Sequence, residues 1–91
     1  MDFGGRRMER LTYQDESGCY RLSGDLQEAI QRLGTFETLY ETIVAEQEDA
    51  GAKLSALRLA GKEKTCQARE LTGKRLLNAN LLSLFRRAGI T

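Results

Sequence analysis

The chain has 91 residues, of which 41% are hydrophobic and 30% charged, and its net charge at pH 7 is only +1. A chain this short forms one domain with a modest core, and association of several copies is a common remedy. Histidine is missing and the two cysteines lie far apart, which excludes Ser–His–Asp and Cys–His nucleophilic machinery and a zinc site built from the cysteines alone.

The sequence also bears on the cellular compartment. It contains no run of 18 apolar residues, so no membrane-spanning helix is predicted. Arg6 and Arg7 are not followed by an apolar segment, so secretion is not indicated. Cys19 and Cys66 are too few and too distant for a disulfide framework, which favours reduced thiols in a cytoplasm.

The first predicted element lies between residues 8 and 22. Residues 1–7 have no periodicity and are expected to be a disordered N-terminal extension, with Met8 as the natural start. Residues 11–13 and 19–22 suit two short strands, and the polar segment between them ends in Gly18, a turn signal. This segment is either a small β-hairpin or an irregular loop.

A long helix is predicted over residues 25–60. Apolar or small residues recur there every three or four positions, which puts one stripe on a helix about 52 Å long. Ser23 is the predicted N-cap and Gly61 the predicted stop. The stripe is interrupted by Gln47, and a polar residue in a helix–helix seam can set register. Its members are Leu26, Ile30, Leu33, Tyr40, Ile43, Ala50, Leu54 and Leu57.

A second helix is predicted over residues 66–88, capped by Thr65 and ended by Gly89. The short connection demands an antiparallel pair. The second helix then covers the C-terminal half of the first and leaves the other half exposed. We therefore predict a mainly α fold, a helical hairpin with a short N-terminal β-hairpin or loop, in a dimeric helical bundle. The predicted oligomer interface is Phe36, Leu39, Tyr40 and Ile43.

Charge is unevenly distributed along the chain. Residues 1–52 carry five basic and eleven acidic side chains, a net charge of −6, whereas residues 53–91 carry nine basic and two acidic, a net charge of +7. The basic half predicts either a nucleic-acid contact through phosphates or pairing with the acidic half. The candidate binding residues are Lys62, Lys64, Arg69, Arg58, Lys74 and Arg75, and on the acidic face Glu41, Glu48 and Asp49.

Chemical sites are not indicated. The carboxylates of the long helix include no Glu-x-x-His pair, so a di-metal bundle is not predicted. The segment from Gly61 to Thr65 superficially matches a phosphate-binding loop, but it lacks the earlier glycine, the hydroxyl residue directly after the first lysine and the preceding strand. We therefore expect no catalytic residue, no metal and no cofactor.

Four stretches of the chain resemble a known group. Residues 8–13 (Met-Glu-Arg-Leu-Thr-Tyr) and 24–33, the loop at 61–65, and residues 76–90 (from Leu76 to Ile90) resemble small proteins encoded by phages and prophages of Gram-positive gut bacteria. The likeness covers about residues 8–91. It implies a mobile-element origin and a bacterial cytoplasm. It implies no mechanism and no catalytic residues.

These observations give three expectations about function. The first is a non-enzymatic, homo-oligomeric phage accessory protein that binds a host protein. The specific form of this hypothesis is an inhibitor of a bacterial defence system. The second is a small nucleic-acid-binding protein that uses the basic half. The third is a structural or assembly adaptor built from helical hairpins.

Overall fold

The structure, a computed structural model, describes residues 8–91. The disorder predicted for residues 1–7 lies outside the described residues. The chain forms two compact units, Met1–Glu37 and Thr38–Thr91, and the single domain of residues 8–91 stays a prediction. Two thirds of the described residues are helical, so the predicted mainly α fold is confirmed.

A β-hairpin opens the first unit. Strand β1 (Thr12–Gln14) pairs with strand β2 (Tyr20–Leu22) in an antiparallel register that places Tyr13 opposite Arg21. The hairpin is confirmed over the alternative of an irregular loop. The turn depends on Gly18, whose φ of 86° is costly for any residue with a Cβ. The Gly18 amide donates to the Asp15 carbonyl at 3.0 Å.

The carboxylate of Asp15 holds this turn together. Its Oδ1 accepts hydrogen bonds from the Ser17 hydroxyl at 2.6 Å, the Ser17 amide at 2.9 Å and the Cys19 amide at 3.0 Å. Its Oδ2 accepts from Arg21 Nε at 2.8 Å. The Ser17 hydroxyl, and then the Arg21 guanidinium, lower the pKa of Asp15 from 3.8 to about 2.

The hairpin is therefore expected to loosen in acid. Because the folded-state pKa of Asp15 is depressed, its contribution to stability is present above pH 3.8 and is lost as the pH falls through 2. Amide chemical shifts of Ser17 and Cys19, followed by NMR from pH 5 downwards, should titrate with a midpoint near 2. The Asp15→Asn variant should lack this titration. A midpoint near 3.8 in the wild type would contradict the hydrogen-bonded turn.

Helix α1 (Leu26–Leu59) begins and ends with identifiable caps. The Asp25 carboxylate accepts from the Glu28 amide at 2.8 Å, so Asp25 is the N-cap. The prediction that Ser23 caps this helix was wrong, because the helix starts at Leu26, directly after Asp25 and three residues after Ser23. The Ser23 amide donates to the Leu11 carbonyl, beside the hairpin. The predicted stop is confirmed: Gly61 has φ 73° and its amide donates to the Arg58 carbonyl.

Helix α2 (Cys66–Arg87) follows after a short loop. Thr65 caps it as predicted, since its hydroxyl accepts from the Ala68 amide at 3.3 Å. The amides of Gly89 and Ile90 donate to the carbonyls of Arg86 and Phe85, which closes the last turn in a Schellman motif. Both ends therefore lie within one or two residues of the predicted boundaries.

The two helices pack against each other in the second unit, within residues 38–91. The Tyr40 ring meets the Phe85 ring edge-on, with centroids 6.2 Å apart, and Lys74 Nζ lies 3.6 Å from Glu46 Oε1. Residues near the start of this part of α1 thus meet the end of α2, as an antiparallel pair requires. Four of the described residues are buried, and all four lie in this unit: Ile43, Ala50, Ala68 and Asn78.

Candidate interaction surfaces

An apolar groove lies in the first unit between the hairpin and α1. Its volume is about 560 Å³. Two arginines accompany the apolar lining: Arg32 donates to the Glu9 carbonyl at 2.6 Å, and Arg10 donates to Thr12 and lies 5.9 Å from the centre of the Tyr20 ring. The groove thus combines an apolar floor with two fixed cations. Its lining is Met8, Arg10, Leu11, Thr12, Ala29, Arg32, Leu33 and Phe36.

The same stretch of α1 exposes an apolar stripe. Leu26, Ile30 and Leu33 follow each other at helical spacing, and each is more than half exposed. These are the first members of the apolar stripe that the sequence predicted. The hairpin covers Ala29, Arg32 and Phe36 in part, which are all half-buried. One side of the helix is therefore covered while the neighbouring side faces solvent.

The residues predicted for the oligomer interface lie in different surroundings. Ile43 is 7% exposed and lies in the seam with α2, and Tyr40 packs on Phe85. Phe36 lines the groove of the first unit. Leu39 is 53% exposed and remains accessible. Their part in an oligomer stays a prediction, and Leu39 is the member of the set with most surface to offer.

The centre of the seam between α1 and α2 is polar. Gln47 Nε2 donates to the Arg75 carbonyl at 3.0 Å, which ties the two helices together. Gln47 Oε1 and Asn78 Nδ2 are buried, and neither has a hydrogen-bond partner among residues 8–91. The Arg75 guanidinium carbon would lie 3.4 Å from a Cβ added at Gly51, so the glycine leaves room for that side chain. An orphaned acceptor and an orphaned donor thus sit in one seam.

The basic half divides into paired and unpaired cations. Lys53 pairs with Asp49 at 3.0 Å, and Lys74 pairs with Glu46 across the seam. In the described part of the chain seven others of this half are exposed and form no ion pair: Arg58, Lys62, Lys64, Arg69, Arg75, Arg86 and Arg87. The first four of these belong to the end of α1, the connecting loop and the first turn of α2, and we call these four the basic tip.

The acidic candidates also divide into one residue with an ion pair and two without. Asp49 is engaged by Lys53, one turn further along the helix. Glu41 and Glu48 are exposed and form no ion pair with another residue from 8 to 91. Pairing of the acidic with the basic half, one of the two alternatives from the sequence, therefore accounts for Lys53 and Lys74 and not for the basic tip.

No chemical centre emerges from the described residues. Within residues 8–91 no group of three His, Cys, Asp or Glu side chains is placed to hold a metal ion. Cys19 and Cys66 are both free and exposed. Neither helix is long and apolar enough over the described range to cross a membrane. The molecule presents surfaces of apolar and charged side chains.

The groove was missed in the sequence analysis. Residues 8–13 suggested a start and a strand, and Arg32 is the only cation in residues 25–52, the acidic part of the predicted long helix. Met8, Arg10 and Thr12 have the two-residue spacing of one strand face, but Leu11 between them lines the groove as well, so alternation along a strand does not predict this set. What joins them to α1 is the Arg32 hydrogen bond to Glu9, a contact between residues 23 positions apart.

Comparisons of the chain with models of protein families, with curated proteins and with solved structures found no match.

Proposed function

We propose that this protein is a non-enzymatic binding protein whose groove in residues 8–37 captures an apolar side chain of another protein. The observation that carries the proposal is the groove itself, which has a volume of about 560 Å³ and is lined by apolar side chains and two arginines. Pockets that take a ligand group are concave and mostly apolar, with a few polar groups that fix orientation. Arg10 and Arg32 favour an apolar anchor flanked by acidic residues.

The balance of apolar side chains supports the same proposal. Only three apolar residues are buried among the described residues, while thirteen large apolar side chains are exposed. Large exposed apolar patches are typical of surfaces that bind other proteins. Together with the resemblance to phage and prophage proteins, this exposed apolar surface favours an accessory protein that occludes the surface of a host protein. The specific host protein that we propose is a bacterial defence protein.

The test is quantitative affinity purification from a bacterial host with three versions of the chain. Leu33 lines the groove and is 58% exposed, so Leu33→Glu places a charge in the groove at little cost to folding. Gln31→Glu, at an exposed position two residues away, is the matched control. A partner should be enriched by the wild type and by the control, and lost at least tenfold with Leu33→Glu.

The biological version of the test measures phage plating on hosts that carry single defence systems. Expression of the wild-type chain should restore plating on the host whose system it inhibits, and Leu33→Glu should not. If no protein is enriched by the wild type, and plating is unchanged on every host, the proposal fails.

The basic tip favours a second candidate function, binding of nucleic acid. Its four cations, Arg58, Lys62, Lys64 and Arg69, form no ion pair within the described residues, so their charge is available to phosphates. Fluorescence anisotropy with labelled duplex and single-stranded DNA and RNA, across a salt series, measures this directly. Replacing Lys62, Lys64 and Arg69 together by alanine should abolish binding, while Lys53→Ala should not. Lack of wild-type binding at about 50 mM salt would reject it.

A further inference from the structure

Helix α2 has a second apolar face, distinct from the one it turns towards α1. The face towards α1 includes Ala68 and Asn78, which are buried, and Phe85. Leu77, Leu81 and Leu84 follow at spacings of four and three, which puts them on another side of the helix. Leu77 is 59% and Leu84 51% exposed, and Leu81 is half-buried. We call these three residues the outer leucine face.

We infer that the outer leucine face is the interface with a second copy of this chain. Two neighbouring apolar faces on one helix are typical of a helix that contacts two others in a bundle. Among residues 8–91 the one other helix is α1, and α2 packs against it. A second copy supplies the missing helix and, by symmetry, receives the same contact in return.

Charge selects which helix of the second copy lies against α2. Helix α2 carries five basic side chains and one acidic one, so two copies of α2 side by side would repel each other. The part of α1 in the second unit, residues 38–59, carries four acidic and two basic side chains. The outer leucine face of one copy is therefore expected to lie against α1 of the other. This inference concerns residues 38–91 and does not depend on the proposed function of the groove.

The first measurement is the mass of the full chain in solution by sedimentation velocity. At about 100 µM, where an interface of micromolar affinity is saturated, the wild type should have twice its chain mass of 10.2 kDa. Leu77→Glu combined with Leu84→Glu should yield monomer at this concentration. The matched control is Leu76→Glu, which lies on another side of α2 and is 64% exposed, and which should leave the dimer intact.

The second measurement uses the wild-type protein and does not require a variant to fold. A mixture of isotope-labelled and unlabelled copies, examined by isotope-filtered NMR, should show NOEs between copies from the methyl groups of Leu77 and Leu84 to residues of α1. A monomeric wild type, a dimer that survives the double substitution, or NOEs between copies that reach only α2 would each overturn the inference.

Discussion

Replacing Ile43 by alanine is expected to lower the free energy of unfolding by about 2–5 kcal/mol. Ile43 is 7% exposed and is the largest of the buried apolar side chains among residues 8–91. Truncation removes three methyl or methylene groups from a seam with few other buried side chains, and the resulting cavity adds to the lost transfer free energy. Such a loss is a large fraction of the stability of a small domain.

Urea denaturation followed by circular dichroism measures this change, at one fixed protein concentration because association shifts the apparent stability. Leu59→Ala is the matched control, since Leu59 lies on the same helix and is 90% exposed, and it should change stability by no more than about 0.5 kcal/mol. If Ile43→Ala is as mild as Leu59→Ala, the seam between α1 and α2 is not the core of the second unit.

The polar centre of the seam gives the second large effect, in the opposite direction. Combining Gln47→Leu with Asn78→Val is expected to raise the free energy of unfolding by about 1–3 kcal/mol, because it removes two buried atoms, Gln47 Oε1 and Asn78 Nδ2, that lack partners among the described residues. The hydrogen bond from Gln47 to the Arg75 carbonyl is lost as well, which offsets about 1 kcal/mol of the gain. Valine adds little volume to the position of Asn78, which limits crowding.

The same urea titration, again at fixed concentration, measures the gain. Asn80→Val is the control, because Asn80 is exposed on the same helix and its substitution should be nearly neutral. The double substitution should also broaden the distribution of oligomeric states seen by sedimentation, since a polar seam residue specifies register at a cost in stability. A fall in stability by more than about 1 kcal/mol would mean that both amides are satisfied in the folded protein.

Stability in the seam and binding at the two apolar surfaces are separable. Ile43, Gln47 and Asn78 lie where the chain packs on itself, whereas the outer leucine face is open. The groove lies in the first unit and is formed by residues that belong neither to the seam nor to the outer leucine face. Variants of one surface are therefore matched controls for the others. A variant that no longer dimerises but still binds the host protein would separate self-association from function.

The sequence by itself determined the elements and their ends. Both helices follow from apolar periodicity, and their stops at Gly61 and Gly89 follow from the need for a positive φ at a helix C-terminus. The hairpin turn at Gly18 is predictable for the same reason. These are local effects, decided by the conformational freedom of a few neighbouring residues, and a linear sequence records them directly. The cap at Asp25 was missed because Ser23 and Asp25 are both favourable N-cap residue types, and local sequence does not decide at which of them the helix starts. The bond from the Ser23 amide to the Leu11 carbonyl keeps residue 23 beside the hairpin.

Only the tertiary structure decided which side chains are buried or ion-paired within the chain and which remain available to bind a partner. The sequence grouped Lys74 with Lys62 and Lys64 by proximity, but Lys74 reaches Glu46 across the seam while the other two extend from the loop. It grouped Ile43 with Leu39 by apolar character, but only Ile43 is buried. Composition determines how many charged and apolar side chains a chain has. The packing of distant segments decides which of these side chains are covered, and those that stay exposed form the interaction surfaces.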